Sequence, residues 1–330
     1  MARVILVTGG AGYLGSQLIR DLAADPTCTD CTIRILDNLQ RETYHTLLDL
    51  PETGRYEFVE GDVLDNAGVR RALDGVWAVV HMAAIVRTPL SFGGSAGQIE
   101  QVNHWGTANL VEAAGQAGVQ LLIHTGSAAV YGPVDAWGSQ PFTERDICRP
   151  VGLYAESKLR AEKHVVQAGQ RGALQTVNLR LGPVFGYAPA VRFDGVANRF
   201  AYLAGVRRAL TVFGTGEQTR PHLHVRDASS AIRFALAHPD QTANETFNVV
   251  GENSTILSIT EAVRNLRPDV DLRFTEQDVL THLSYAIDGG KLNALGWYPA
   301  VSVEAGIAEL LDHLRAFSAF QPGGTVDWET

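Results

Sequence analysis

LVTGGAGYLGS, residues 6–16, lies between a short apolar run and a helix-like segment, SQLIRDLAA. Four glycines, Gly9, Gly10, Gly12 and Gly15, fall within seven residues. Glycine weakens strands and helices alike, so a loop that keeps four of them needs unusual backbone freedom or a close approach by another group. A strand, a glycine-rich turn and a helix together suit a dinucleotide. The glycines allow the tight turn and let the backbone approach a pyrophosphate, which rests at the positive end of the helix. The spacing is Gly9-x-x-Gly12-x-x-Gly15.

Asp37 ends the second predicted strand, 22 residues after Gly15. That is where an acid binds the hydroxyls of the adenosine ribose. A carboxylate there repels the 2′-phosphate of NADP, and no arginine stands immediately beside it. Arg41 follows four residues later. The expected cofactor is NAD.

The surroundings of the loop set the fold class. RVILVTG, TIRILDN, YEFVEGD, WAVVHMAA, LLIHTGS and TVNLRLG are rich in Val, Ile and Leu without clean polar alternation, as strands buried on both faces are. HWGTANLVEAAGQAG and YAESKLRAEKHVVQAG read as helices between them. Alternating strand and helix predicts an α/β fold, a doubly wound parallel sheet of the Rossmann type with a smaller C-terminal substrate-binding region. The expected division is residues 1–180 for the dinucleotide-binding domain and 181–330 for the mainly substrate-binding region. A later strand within about 222–250, carried by TFNVV, returns to the sheet. After about residue 180, Pro and Gly become frequent and strands sparse.

Composition narrows the partners. The 330 residues are 45% hydrophobic and 19% charged, enough for a substantial core. A net charge of −9 with no dense Lys/Arg run argues against nucleic acid and acidic membrane surfaces. No apolar run is long enough to span a membrane, and the amino terminus carries no secretory signal. Three cysteines cannot all pair within one chain, which favours a reduced, cytoplasmic setting. Cys28 and Cys31 form a CxxC with no matching second half, so no metal is expected.

An ordered set of short motifs now resembles the extended short-chain dehydrogenase/reductase family, the group of sugar-nucleotide epimerases, dehydratases and decarboxylases. It comprises TGGAGYLG, LDN at 36–38, GDV at 61–63, HMAA at 81–84, Asn103, TGSAAVYG at 125–132 and YAESK at 154–158. FGTGEQTR ending at Arg220, HVRD ending at Asp227, and LGW near Trp297 complete it. The resemblance covers nearly the whole chain. It implies a cofactor site from Gly9, Gly12, Tyr13, Leu14, Gly15, Asp37, Asn38, Asp62, Val63, Ala83, Ala84 and Asn103, with Tyr154 and Lys158. Asp62 and Val63 would contact adenine, and Ala83 and Ala84 would line the groove. It also implies a homodimer through the helices carrying HWGTANL and YAESK.

Tyr154 and Lys158 are four apart in a predicted helix and share one face. A free tyrosine, with a pKa near 10, is a poor base at neutral pH. A nearby ammonium and a positive nicotinamide favour its phenolate. Tyr154 would take a proton from a substrate alcohol as hydride leaves for NAD. Lys158 would hold the nicotinamide ribose, and Ser127, at a strand end, would orient the substrate hydroxyl. Tyr131 has two readings, a substrate contact or a packed aromatic. His81 is read as a core histidine.

The residues after Ser127 bear on the reaction. Members that dehydrate sugars typically carry Asp-Glu there, and similar decarboxylases a Glu. This chain has Ala128 and Ala129, which transfer no protons. The expected activity is therefore that of a nucleotide-sugar 4-epimerase, passing through a keto-sugar. A keto-sugar reductase or sugar dehydrogenase, and a UDP-glucuronate decarboxylase-like enzyme, are the alternatives within the family. An NAD-sensing binding protein is the non-enzymatic one.

At the substrate end the resemblance implies that Phe213 flanks the base of a UDP- or dTDP-linked sugar and that Arg220 binds its diphosphate. Asn198 and Arg199 would line the same groove. Three departures stand out. Pro183 replaces a substrate-binding Asn, Pro221 replaces an Asp after Arg220, and TEQDVLTHLSY (275–285) lacks the second diphosphate arginine. Arg192, His222, His224 and Arg226 are candidate replacements.

Overall fold

Seven strands form one all-parallel sheet. The structure, a computed structural model, describes residues 3–86, 96–133, 141–172, 174–276 and 284–316. The six N-terminal strands are β1 (Val4–Thr8), β2 (Thr32–Asp37), β3 (Arg55–Glu60), β4 (Val76–His81), β5 (Leu121–Ser127) and β6 (Gln175–Leu181). Four more follow in chain order, of which only the last joins the large sheet: β7 (Val184–Phe185), β8 (Leu210–Phe213), β9 (Thr219–His224) and β10 (Glu245–Val249). Two more are β11 (Glu252–Thr255) and β12 (Leu272–Thr275).

The sheet order is β10-β6-β5-β4-β1-β2-β3. Every residue of β5 is buried, and β1, β4 and β6 are nearly so. Continuous apolar strands of this kind can sit only in a sheet covered on both faces. Helices Tyr13–Ala23 and Val225–Ala237 pack together on one face, and Thr107–Gln116 and Leu153–Gln170 on the other. The strand order reverses between β1 and β4, so a crevice opens beyond their carboxyl ends, the usual ligand position in such sheets. Glu245–Val249 joins the far edge beside β6.

Residues C-terminal to β6 build a second core around Phe200, Ile259 and Ile307, with β7-β9-β11 and β8-β12 as small sheets. One departure from the expected helices lies at Glu100–Gly106, where the turn is π-helical and only then continues as Thr107–Gln116. Such wide turns recur at functional sites, and this one carries Asn103.

Candidate functional site

The glycine turn is closed by contacts that leave no room for side chains. Gly9 has φ +70°, and a Cβ on it would lie 2.7 Å from the Ala83 backbone nitrogen. A Cβ on Gly15 would collide with the Gly9 carbonyl and Gly10 Cα, where the helix leaves the strand. Gly12 begins helix Tyr13–Ala23 without any side-chain cap, and the first turn holds no acid. The free N–H groups there, with the helix dipole, suit a pyrophosphate. The side-chain-free turn and the uncapped helix end together fit a dinucleotide.

Asp37, at the end of β2, accepts the Ala11 amide on Oδ2 at 3.0 Å and the Leu39 amide on Oδ1 at 2.9 Å. It therefore braces the turn as well as facing the crevice. Asn38 donates to Asp62 Oδ2 at 2.9 Å. Asp62 then lines a cleft of about 320 Å³ with Gln40, Leu64, Ile85, Gln101 and Val102, a size and position that suit an adenine ring. Val63 is buried, with its carbonyl taken by Asn109. Ala83 and Ala84 follow β4 on the opposite wall, and the Ala83 amide reaches Thr8 Oγ1 at 3.3 Å. Asn103 clamps Ile85 through both its backbone groups and reaches Ser157 Oγ at 3.1 Å, tying this wall to helix Leu153–Gln170. Leu14 packs into the core. The Tyr13 hydroxyl donates to the Gly186 carbonyl at 2.5 Å and accepts from Asn198 Nδ2 at 3.2 Å.

Ser127 closes β5 and caps the short helical turn Ala128–Tyr131, accepting the Ala129 amide at 3.2 Å. Its hydroxyl also bears on the Tyr154 phenol, which it draws toward the ionised form. Tyr154 and Lys158 stand one turn apart on helix Leu153–Gln170. The three predicted catalytic residues thus converge at the carboxyl end of the sheet. Burial pushes the Tyr154 phenol above its ordinary value, opposed by the Ser127 hydrogen bond and the Arg192 charge. Burial also lowers the Lys158 ammonium, to about 8, with Glu162 opposing. In the protein alone the amine turns toward His124 Nε2, 3.3 Å away, and burial governs the phenol.

Tyr131 is placed with the core. It is 1% exposed, stacks on Phe142, donates to Asn248 Oδ1 at 2.7 Å and accepts from Arg180 Nη1 at 2.7 Å. Of its two readings, the structure favours the packed aromatic. Asn198 is committed to Gly186, Arg192 and Tyr13 through its amide. Phe213 ends β8, half-buried, and its carbonyl accepts from Gln218. Arg220, on β9, sits over the Tyr285 ring at 5.5 Å, and no carboxylate among the described residues pairs with it. His222 and His224 are buried and lowered to about 4 by burial, and Arg226 pairs with Glu309, so none of these three stands ready for an anion. Arg192 forms a two-point pair with Asp194 and bears on the Tyr154 phenol. Much of the TEQDVLTHLSY stretch (277–283) lies outside the described residues. Among the described residues no cluster of His, Cys, Asp or Glu could hold a metal, and all three cysteines are free.

Sequence reasoning passed over Tyr285, His124 and Asn178. His124 carried a visible signal, a lone imidazole three residues before Ser127 in an otherwise apolar strand.

Residues 5–250 match the NAD dependent epimerase/dehydratase family. The chain belongs to that family. It is therefore an enzyme, with NAD as its cofactor. The dTDP-D-glucose 4,6-dehydratase of Mus musculus is 29% identical, over 95% of this chain and 89% of its own. The CDP-paratose 2-epimerase of Salmonella typhi is 28% identical, over 93% of this chain and 98% of its own. Among solved structures, UDP-glucuronic acid 4-epimerase from Bacillus cereus, in complex with UDP-glucuronic acid and NAD, superimposes with a TM-score of 0.83. It covers 96% of this chain and 100% of its own at 24% identity, a likeness of fold. No helix among the described residues is long and apolar enough to cross a membrane.

Proposed function

We propose that this enzyme is a nucleotide-sugar epimerase acting at C4 of a UDP- or dTDP-linked sugar. The observation that carries the reading is the pair Ala128 and Ala129, which occupies the turn directly beyond Ser127. Elimination of water needs an acid and a base besides the tyrosine, and these positions offer neither. Epimerisation needs only what is assembled here.

When bound, NAD supplies the acceptor for a hydride from the sugar carbon and returns it. Tyr154 takes the proton from the adjacent hydroxyl and later gives it back. Ser127 holds that oxygen in line with the phenol. Lys158 places a positive charge one turn away, where it favours the phenolate and can hold the nicotinamide ribose. The keto-sugar then turns in the pocket and presents its other face. Asp37 and the uncapped helix end hold the dinucleotide. Arg220, half-buried on Tyr285 and without a carboxylate partner among the described residues, is the cation assigned to the sugar diphosphate. The same chain pairs with a second copy through the π-helical turn Glu100–Gly106 with its continuation Thr107–Gln116 and through helix Leu153–Gln170, which leave Trp105 and Leu153 exposed.

The test is incubation with UDP- and dTDP-hexoses and hexuronates, followed by proton NMR of the anomeric signals and absorbance at 340 nm. A C4 epimer without net NADH supports the reading. Accumulating NADH, a 4-keto-6-deoxy product or carbon dioxide release overturns it.

A further inference from the structure

The amine of Lys158 is 4% exposed, and its hydrogen-bond partner in the protein is an imidazole. Nζ lies 3.3 Å from His124 Nε2. An ammonium has only donors, so Nε2 must be the unprotonated nitrogen. The other side of the ring agrees with this. His124 Nδ1 lies 2.8 Å from Asn178 Oδ1, an oxygen that only accepts, so Nδ1 carries the hydrogen. Turning the Asn178 amide over would aim its NH2 at Nδ1 and force the second hydrogen onto Nε2, facing the ammonium donor to donor. In the observed arrangement Lys158 donates to His124 and His124 donates to Asn178, whose own Nδ2 finds no partner among the described residues.

Other anchors for the amine are already engaged. Glu162, one turn further along the helix, is held by Arg180 through both carboxylate oxygens, at 3.0 and 2.5 Å. His81, the neighbouring ring at 5.7 Å, spends both nitrogens on Thr8 and Thr107, at 2.7 and 2.8 Å. The charged and titratable groups facing His124 are therefore Lys158 from the helix and His81 from β4, with amide Asn178 from β6. Burial and the Lys158 charge both hold the His124 imidazole neutral.

We propose that His124 is a positioning residue for the reaction, a neutral imidazole fixed in one tautomer by Asn178 that keeps Lys158 protonated and anchored one turn from Tyr154. A neutral acceptor stabilises the ammonium form, so it counters the burial that drives the proton off. A protonated imidazole or an apolar side chain at the same place does the reverse. The proposal rests on the assignment of Tyr154 and Lys158 given above. It does not depend on which sugar reacts.

The experiment compares His124→Phe, which removes the acceptor, with His124→Gln, which restores one. The first readout is tyrosinate absorbance against pH in NAD-loaded protein without sugar, taken as the difference from Tyr154→Phe. The second is the pH profile of kcat. In His124→Phe the Tyr154 midpoint rises by about one pH unit and the alkaline limb of kcat moves down by a similar amount, as loss of one hydrogen bond to a charged group implies. At pH 8 kcat falls about tenfold, KM stays within about twofold, and His124→Gln recovers most of the loss. Folded, NAD-loaded His124→Phe with unchanged midpoints overturns the proposal. If that variant is insoluble, Asn178→Ala frees the tautomer and shifts both midpoints in the same direction, and no shift there overturns it equally. Should the native protein show no difference from Tyr154→Phe, the assignment of Tyr154 fails, and that result is distinct from any effect at His124.

Discussion

Asp37 Oδ2 accepts a hydrogen bond from the Ala11 amide at 3.0 Å, across the turn that joins β1 to its helix. Its other oxygen takes the Leu39 amide. One carboxylate thus shapes the cradle and, with its remaining lone pairs, offers acceptors to a ribose. Asp37→Ala should weaken NAD binding tenfold or more and lower the unfolding free energy by about 1–3 kcal/mol, the cost of buried amides left without acceptors. NADP should lose less, because the repulsion of its 2′-phosphate goes too. Calorimetric titration with both dinucleotides checks this, and an unchanged NAD/NADP ratio removes the ribose role.

Tyr154→Phe should reduce turnover by a factor of about 10²–10⁴, the range for a lost acid-base group, with NAD content unchanged. Ser127→Ala should also slow turnover and should move the tyrosinate midpoint upward, since the Ser127 hydrogen bond opposes the burial of the phenol. Ultraviolet titration separates this from a simple packing defect.

Activity and stability should respond to alkaline pH with opposite signs. Burial lowers Lys158 from 10.5 to about 8. Between about 8 and 10.5 the unfolded chain keeps a proton the folded protein has released, so this group's contribution to stability rises with pH over that window. Turnover falls over the same range as the ammonium is lost. At the acid end His222 is lowered from 6.5 to about 4. The unfolded chain binds the extra proton between those values, so stability falls as pH drops from about 6.5 to 4. Urea unfolding from pH 4 to 10 measures both slopes, and His222→Leu should reduce the acid one, to which the equally lowered His224 also contributes.

Much of the frame was legible because it rests on local pattern. The apolar runs became β1 to β6 and β10, although the edge strand β3, expected to be buried on both faces, is mostly exposed, and the glycine turn lies where the strand order reverses, since an all-parallel sheet leaves few other places for such segments. Ser127, Tyr154 and Lys158 converge because a strand end and one helix face suffice to bring them together. What stayed hidden depends on long-range partners. Tyr131 could not be read from its neighbours, because Asn248 is 117 residues away and Arg180 is 49. Tyr285 reaches Arg220 only through the fold of the C-terminal region. The direction of the Tyr154 shift was set by burial, which spacing along a helix does not report.

The placement of Tyr131 has its own consequence. Tyr131→Phe deletes the hydroxyl between Arg180 and Asn248 and leaves both partners buried. Stability should drop by about 1–3 kcal/mol, while KM and kcat stay within a few-fold. Thermal unfolding alongside steady-state kinetics decides it. A large rise in KM with unchanged stability would return Tyr131 to the substrate pocket.

Arg220 should show the converse pattern. Its guanidinium lies over Tyr285, is half-buried, and donates to the Thr219 carbonyl at 2.9 Å, which among the described residues leaves most of its planar fork unengaged. Burial disfavours the charge, so an anion arriving there regains what desolvation costs. Arg220→Gln should raise KM for a nucleotide sugar by roughly ten- to a hundredfold, as one charge-assisted contact to phosphate implies. It should leave kcat within a few-fold and NAD binding unchanged, because the diphosphate is bound equally before and during the chemical step. Steady-state kinetics at saturating NAD, with UDP as a competing inhibitor, measures this, and an unaltered inhibition constant for UDP would place the diphosphate elsewhere.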